Sequence, residues 1–301
     1  MAKILIDTDP GQDIDDLLAI LFALRRPELE VLGITTVTMP TAGRARLVKR
    51  LLRHLGRQDI PVAAGMELPL RSVDAGELAR MRDPAIAMNH ACFAEPADPA
   101  DDPDAIDAVE LIIRTVEAHP GEVVLACIAP LTNIACALRR RPDIAGKVRA
   151  IALMGGETEL NRCEHNIAFD PVAADIVLNA GVPVAMGTWS VTRRLVLDAA
   201  DCARFAASAR PECRALAEAI THWHPAQSWK PGPVMYDLFP MVWAFAPHLY
   251  AMQEMRVQVE LNGQATRGMT VPGRGTPMQV TTGIEAEALK RLYLDTVLGA
   301  A

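Results

Sequence analysis

Residues 7 to 16 read Asp7-Thr8-Asp9-Pro10-Gly11-Gln12-Asp13-Ile14-Asp15-Asp16, five carboxylates in ten positions. They follow an apolar run at 3–7 that reads as a buried strand. They precede a helical pattern at 14–24, whose face is Leu17, Leu18, Ile20, Leu21 and Leu24. Pro10-Gly11 forces a tight turn, so acids on either side of it can converge. Asp15 and Asp16 fall in the first helical turn, where the helix dipole favours negative charge. Capping a helix takes one or two acids, not five. Gathering them at one strand end costs Coulomb repulsion unless a cation compensates. Carboxylate oxygens select a hard cation, Ca²⁺ or Mg²⁺, over zinc.

The strand-turn-helix unit repeats. Further strand patterns lie at 30–38, 61–64, 123–128, 148–154 and 182–186, and helical patterns at 43–55, 105–118, 131–139 and 171–179. This alternation predicts an α/β fold with a mainly parallel central sheet and helices on both faces. Ligands in such folds sit at the carboxyl ends of the strands. Residues 66–104 interrupt the rhythm with a run rich in Asp, Glu, Pro and Ala, long enough for a lid. Beyond Asp201 the pattern turns helical. Late strands are predicted at 257–261 and 268–271, then a closing helix from about residue 285. With no internal repeat or linker, residues 1–301 read as a single domain.

Half of the 301 residues are hydrophobic, enough for a large core. Aromatics make up 4%, which argues against a base-stacking nucleic-acid platform. Thirty basic against 37 acidic residues, formally −7, argue against duplex or anionic-membrane partners, though not against a nucleoside. No apolar run reaches the roughly 18 residues of a membrane span. The first residues lack the features of a signal peptide. Six cysteines form no CxxC pair, which fits reduced thiols in a cytoplasmic protein.

Asp7-Thr8-Asp9-Pro10-Gly11, followed by Asp15-Asp16-Leu17-Leu18-Ala19-Ile20, resembles the N-terminal signature of the inosine–uridine-preferring nucleoside hydrolases. Further blocks follow in family order: Gly33-Ile34-Thr35-Thr36-Val37, Ala129-Pro130-Leu131-Thr132-Asn133, Leu153-Met154-Gly155-Gly156, Glu164-His165-Asn166 with Asp170-Pro171, and Gly268-Met269-Thr270-Val271. The resemblance covers almost the whole chain and implies a Rossmann-like fold. It implies calcium-dependent hydrolysis of the N-glycosidic bond of a ribonucleoside or related N-riboside. It also implies a homodimer or homotetramer. By the same resemblance, Asp9 activates the attacking water and binds calcium, with Asp16, Asp237 and the carbonyl of Ile128 as further ligands. Asp15, Asn161, Glu164 and Asn166 fall on the groups that hold the ribose.

The sequence departs from the family at several points. Gln12-Asp13-Ile14 separate Gly11 from the paired acids, where the family has one residue. Counted from Asp9, Asp13 stands where the first paired acid belongs; counted from the helix, Asp15 does, so Asp13 either replaces Asp15 or adds a metal ligand. Pro40, which has no N–H, stands in the loop after the second strand, with Thr41 as a partial substitute. Tyr236 replaces the histidine that precedes the late aspartate. A phenol can donate a proton but is a poorer acid at neutral pH, so Tyr236 is one candidate catalytic acid and His222 and His224 are candidates to take over leaving-group protonation. Trp189-Ser190 replaces the usual Leu-Asp, and His90 is the nearest candidate for the absent lid histidine. Trp223 and Trp229 could stack a base, although tryptophans in helical stretches more often pack a core. A ribose- or nucleoside-binding protein with little or no turnover is the alternative raised by Tyr236 and Pro40. A third reading, an Asp-x-Asp phosphohydrolase, has no phosphate-cradling motif behind it.

Overall fold

Nine strands form one sheet in the computed structural model, which describes residues 1–83, 88, 98–226 and 230–299. The strands are β1 (Ala2–Thr8), β2 (Leu29–Thr36), β3 (Val62–Ala64), β4 (Val123–Cys127), β5 (Ala150–Met154), β6 (Val184–Gly187), β7 (Tyr250–Val259), β8 (Thr270–Pro272) and β9 (Thr276–Ile284). Their order is β3-β2-β1-β4-β5-β6-β9-β7-β8. All pairings from β3 through β6 to β9 are parallel, while β7 runs antiparallel to both β9 and β8. Strand order reverses between β1 and β4, which opens a crevice at their carboxyl ends. That is the end of β1 where the acidic run begins.

Side chains alternate across a strand, so a strand covered on both faces must be apolar on both. In β1, Ile4 and Ile6 enter one core, shared with α1 (Asp15–Arg25), α2 (Thr41–His54) and the helices Pro211–Ala226 and Ala286–Leu298. Leu5 enters the opposite core, shared with the helices Ala108–Ala118, Thr132–Arg140 and Pro171–Leu178. The expected two-faced α/β architecture is thus present. No helix among the described residues is long and apolar enough to cross a membrane.

Two expectations need correction. The strand predicted at 257–261 spans Tyr250–Val259, and β9 forms where the sequence pattern predicts no strand. Both carry polar residues on faces left partly open beyond β6, and Pro277 and Gly283 break the apolar pattern of β9. The region 66–104 also holds more structure than a lid loop needs. Asp74 caps the helix Ala75–Arg82 by accepting from the N–H of Glu77 at 2.8 Å. Asp101 is buried between Arg50 and Arg53, at 3.0 and 2.9 Å. Residues 84–87 and 89–97, with His90, lie outside the described residues, as does Trp229.

Candidate active site

The turn after β1 is shaped by local bonds. Gly11 adopts φ 132°, a conformation that disfavours a side chain, and the chain reverses there into α1. Asp16 Oδ1 reaches back across the turn, accepting from Thr8 Oγ1 at 2.5 Å and from the N–H of Asp9 at 3.0 Å. Beneath the turn lies the buried guanidinium of Arg44, from α2. It donates to the carbonyls of Asp9, Pro10 and Thr38, the last two at 2.9 and 2.8 Å. This buried cation offsets part of the acid charge, although the sequence pattern marks residues 43–55 only as helical.

Asp237, just ahead of the helix Leu238–Trp243, closes the cluster from the other end of the chain. Carboxylate oxygens of Asp15, Asp16 and Asp237 all lie within 4.8 Å of one another, and all three residues are buried. Burial and mutual repulsion push Asp15 and Asp237 well above the ordinary carboxylate range. Asp9 is raised by burial and by the charge of Asp16, against the pull of Arg44. Asp16 is pushed up to about 6 by burial, which the hydrogen bonds from Thr8 and Asp9 partly oppose. Behind them, burial lifts Asp7 to about 7. Its Oδ1 accepts from Thr35 Oγ1 at 2.6 Å and Asn133 Nδ2 at 2.8 Å, while its buried Oδ2 has no hydrogen-bond partner among the described residues. Carboxyl groups held this way gain most from a bound cation, and an all-oxygen donor set suits a hard one.

One cavity of about 250 Å³ opens over this cluster. Of the residues singled out in the sequence, Asp9, Asp13, Asp15, Asp16, Ile128, Glu164, Asn166, Tyr236 and Asp237 line it. Ile128 follows β4 and Met154 ends β5, so the cavity sits at the predicted strand ends. Glu164 caps the helix His165–Phe169, accepting from the N–H groups of Gly156, Asn166 and Ile167 at 2.9, 2.9 and 3.1 Å. Asn166 spends its Nδ2 on the carbonyl of Met154 at 3.1 Å. Asp13 is not one of the three converging acids. Its Oδ1 accepts from the N–H of Ile14 at 2.9 Å, and its Oδ2 is ion-paired with Lys230.

Asn161 and His222 do not line the cavity. Asn161 is exposed in the loop after β5. His222 projects from the outer face of Pro211–Ala226, its side chain 57% exposed and 3.9 Å from Glu218, because its neighbour Trp223 takes the buried face. Trp223 is therefore a core residue, and the side chain of His224 lies outside the described residues. Neither Pro40, which follows a cis peptide bond, nor Thr41 lines the cavity.

Gln12, Met154, His165, Trp189 and Lys230 also line the cavity and were not assigned roles in the sequence. The one signal for Trp189 was its departure from the family pattern. Its short helix, Trp189–Thr192, is fixed by buried Glu157, which accepts from the N–H and Oγ of Ser190 at 3.0 and 2.6 Å. The guanidinium groups of Arg162 and Arg193 lie 3.7 and 4.3 Å from the Trp189 ring centroid.

Comparison with known proteins agrees with this arrangement. The family model of the inosine-uridine preferring nucleoside hydrolases matches residues 4–291. A pyrimidine-specific ribonucleoside hydrolase, RihA, of Citrobacter koseri is 36% identical over 287 residues, covering 89% of this chain and 87% of the relative. RihA of Salmonella enteritidis is 35% identical over 290 residues, with the same coverage. Among solved structures, the purine-preferring ribonucleoside hydrolase of Gardnerella vaginalis superimposes with a TM-score of 0.86 at 26% identity, covering 99% of this chain and 98% of that one. The plant nucleoside hydrolase PpNRh1 gives 0.84 at 26% identity, covering 99% of both chains. With its acids gathered at the strand ends and its length matched throughout, the chain belongs to the inosine-uridine preferring nucleoside hydrolase family, enzymes that cleave ribonucleosides at the N-glycosidic bond.

Proposed function

We propose that this ribonucleoside hydrolase is calcium-dependent and releases ribose and free base from the cavity over Asp15, Asp16 and Asp237. The reading is carried by one observation, the convergence of those three buried carboxyl groups to within 4.8 Å. Asp15 and Asp16 take the paired-acid role and, with Asp237, would hold the ion; Asp9 and Ile128 line the same cavity. Asp13 is engaged by Lys230 instead. When bound, a hard cation supplies Lewis acidity toward water and an anchor for the ribose hydroxyls.

Hydrolysis of an N-glycosidic bond passes through an oxocarbenium-like state, with water entering on one face of the sugar. Asp9 accepts the proton that the water releases; burial and the charge of Asp16 raise its carboxylate toward the basicity this task needs. Glu164, holding three backbone N–H groups, keeps one acceptor position for a sugar hydroxyl. Asn166 offers its carbonyl oxygen. Tyr236 lines the same cavity. Burial pushes its phenol above the ordinary value, so it keeps its proton.

The test is reducing-sugar release from a panel of purine and pyrimidine ribonucleosides, with calcium and after chelation. The names of the RihA relatives put pyrimidine ribonucleosides first on that panel. Turnover that is lost on chelation and restored by calcium supports the proposal. Undiminished turnover after complete chelation contradicts it.

A further inference from the structure

Asp9, Asp13, Asp15, Asp16, Glu164 and Asp237 all line the cavity, and Lys230 is the one fixed positive charge among its described lining residues. Lys230 is buried and ion-paired with Asp13, 217 positions away in sequence. Its ammonium lies 5.2 Å from the ring centroid of Tyr236 and 5.6 Å from that of Trp223, both cation–π distances. Burying an ammonium is costly, and an acid pair with two aromatic faces holds this one in a single place. Balancing Asp13 alone would not require it, because Asp13 keeps a solvent-facing portion and already accepts from the N–H of Ile14.

The placement matters for the leaving group. Lys230, Tyr236 and Trp189 line the same cavity as Asp15, Asp16 and Asp237, so a base carried by a sugar held at those acids shares the cavity with the ammonium. As the C1′–N bond breaks, its electron pair goes to the base while the water oxygen bonds to C1′. The proton released by water ends on the base nitrogen through solvent, giving ribose and neutral base. Until then the base carries growing negative charge in a cavity lined by carboxylates. A fixed ammonium favours that charge far more than it favours the neutral bound substrate, which is the condition for raising kcat.

We infer that Lys230 is a catalytic residue that stabilises the departing base, and that Asp13, from the residues inserted before the paired acids, positions it. This rests on the ribohydrolase reading above. The experiment compares kcat for uridine with kcat for p-nitrophenyl β-D-ribofuranoside, whose phenolate leaves as a stable anion without help. Lys230→Met should lower kcat on uridine about 100-fold and on the nitrophenyl riboside less than about 3-fold. Lys230→Arg should recover part of the uridine rate. Asp13→Asn should show the same substrate bias, more weakly. Equal losses on both substrates, or no loss on uridine, would overturn the role of Lys230. A wild-type enzyme that turns over neither substrate would bring down the ribohydrolase reading itself, an outcome distinct from the other two.

Discussion

The floor of the cavity and its wall are assembled differently. On the floor, Asp9 and Asp16 are joined by bonds that span a few residues, from Thr8 Oγ1 and from the N–H of Asp9 to Asp16 Oδ1. They sit at the end of β1 and in the first turn of α1, two rigid elements of the core. The wall draws more on partners from other segments. Lys230 is held by Asp13, and Trp189 is flanked by Arg162 and Arg193 at 3.7 and 4.3 Å. A floor whose first acids are set by one strand-turn-helix unit, and which Asp237 completes from far along the chain, can keep one chemistry while a wall built from separate segments varies its choice of base. The contrast between the pyrimidine-specific and purine-preferring names of the related proteins fits that division.

Substitutions on the two regions should therefore differ in kind. The largest effect in this group belongs to the floor: Asp237→Ala should lower kcat/KM for ribonucleosides about 100- to 1000-fold and abolish thermal stabilisation by calcium. Steady-state kinetics and a melting curve with and without calcium check it. On the wall, Trp189→Ala should raise KM about 3- to 10-fold and leave kcat within about 2-fold, the scale of one lost aromatic contact. A loss confined to kcat would instead place Trp189 with the reacting groups.

The floor should also respond to pH in its own way. Asp16 is raised to about 6 and Asp7 to about 7, both by burial, so the folded metal-free protein binds protons that the unfolded chain has released. Where the folded state binds more protons, stability falls as pH rises. Between about pH 4, near the unfolded carboxylate value, and about pH 7, the metal-free Tm should therefore decline. Calcium favours the ionised acids, so its gain in Tm should be larger at pH 7 than at pH 5. A metal-free Tm that climbs across this window would break the account of the floor. Smallest of all, His222→Ala should change kcat/KM less than about 2-fold, as expected of an exposed surface substitution outside the cavity; a large loss would mean that this helix closes on the substrate.

Legibility followed the same division. β1, α1 and the alternation through β6 were readable because each is set by local periodicity and by turn residues such as Pro10-Gly11. The acid cluster was readable because five carboxylates in ten positions need a reason. Which of Asp13 and Asp15 lies beside Asp16 was not readable by counting: Asp15 converges with Asp16 and Asp237, whereas Asp13 pairs with Lys230, far away in the chain. Arg44 was hidden for a related reason: nothing in a helical pattern reveals that one of its arginines is buried under a turn from another element. β9 escaped because its polar, Pro- and Gly-containing segment becomes a strand only by pairing with β6 and β7.

The central claim is that the acids at the end of β1 carry out the hydrolysis. It is tested most directly by following ribose release from uridine with calcium present, for wild type and Asp9→Asn at equal concentration. The account predicts wild-type turnover and a rate at least about 1000-fold lower for the variant, with its melting temperature close to that of wild type. A folded Asp9→Asn enzyme that releases ribose at the wild-type rate would contradict it.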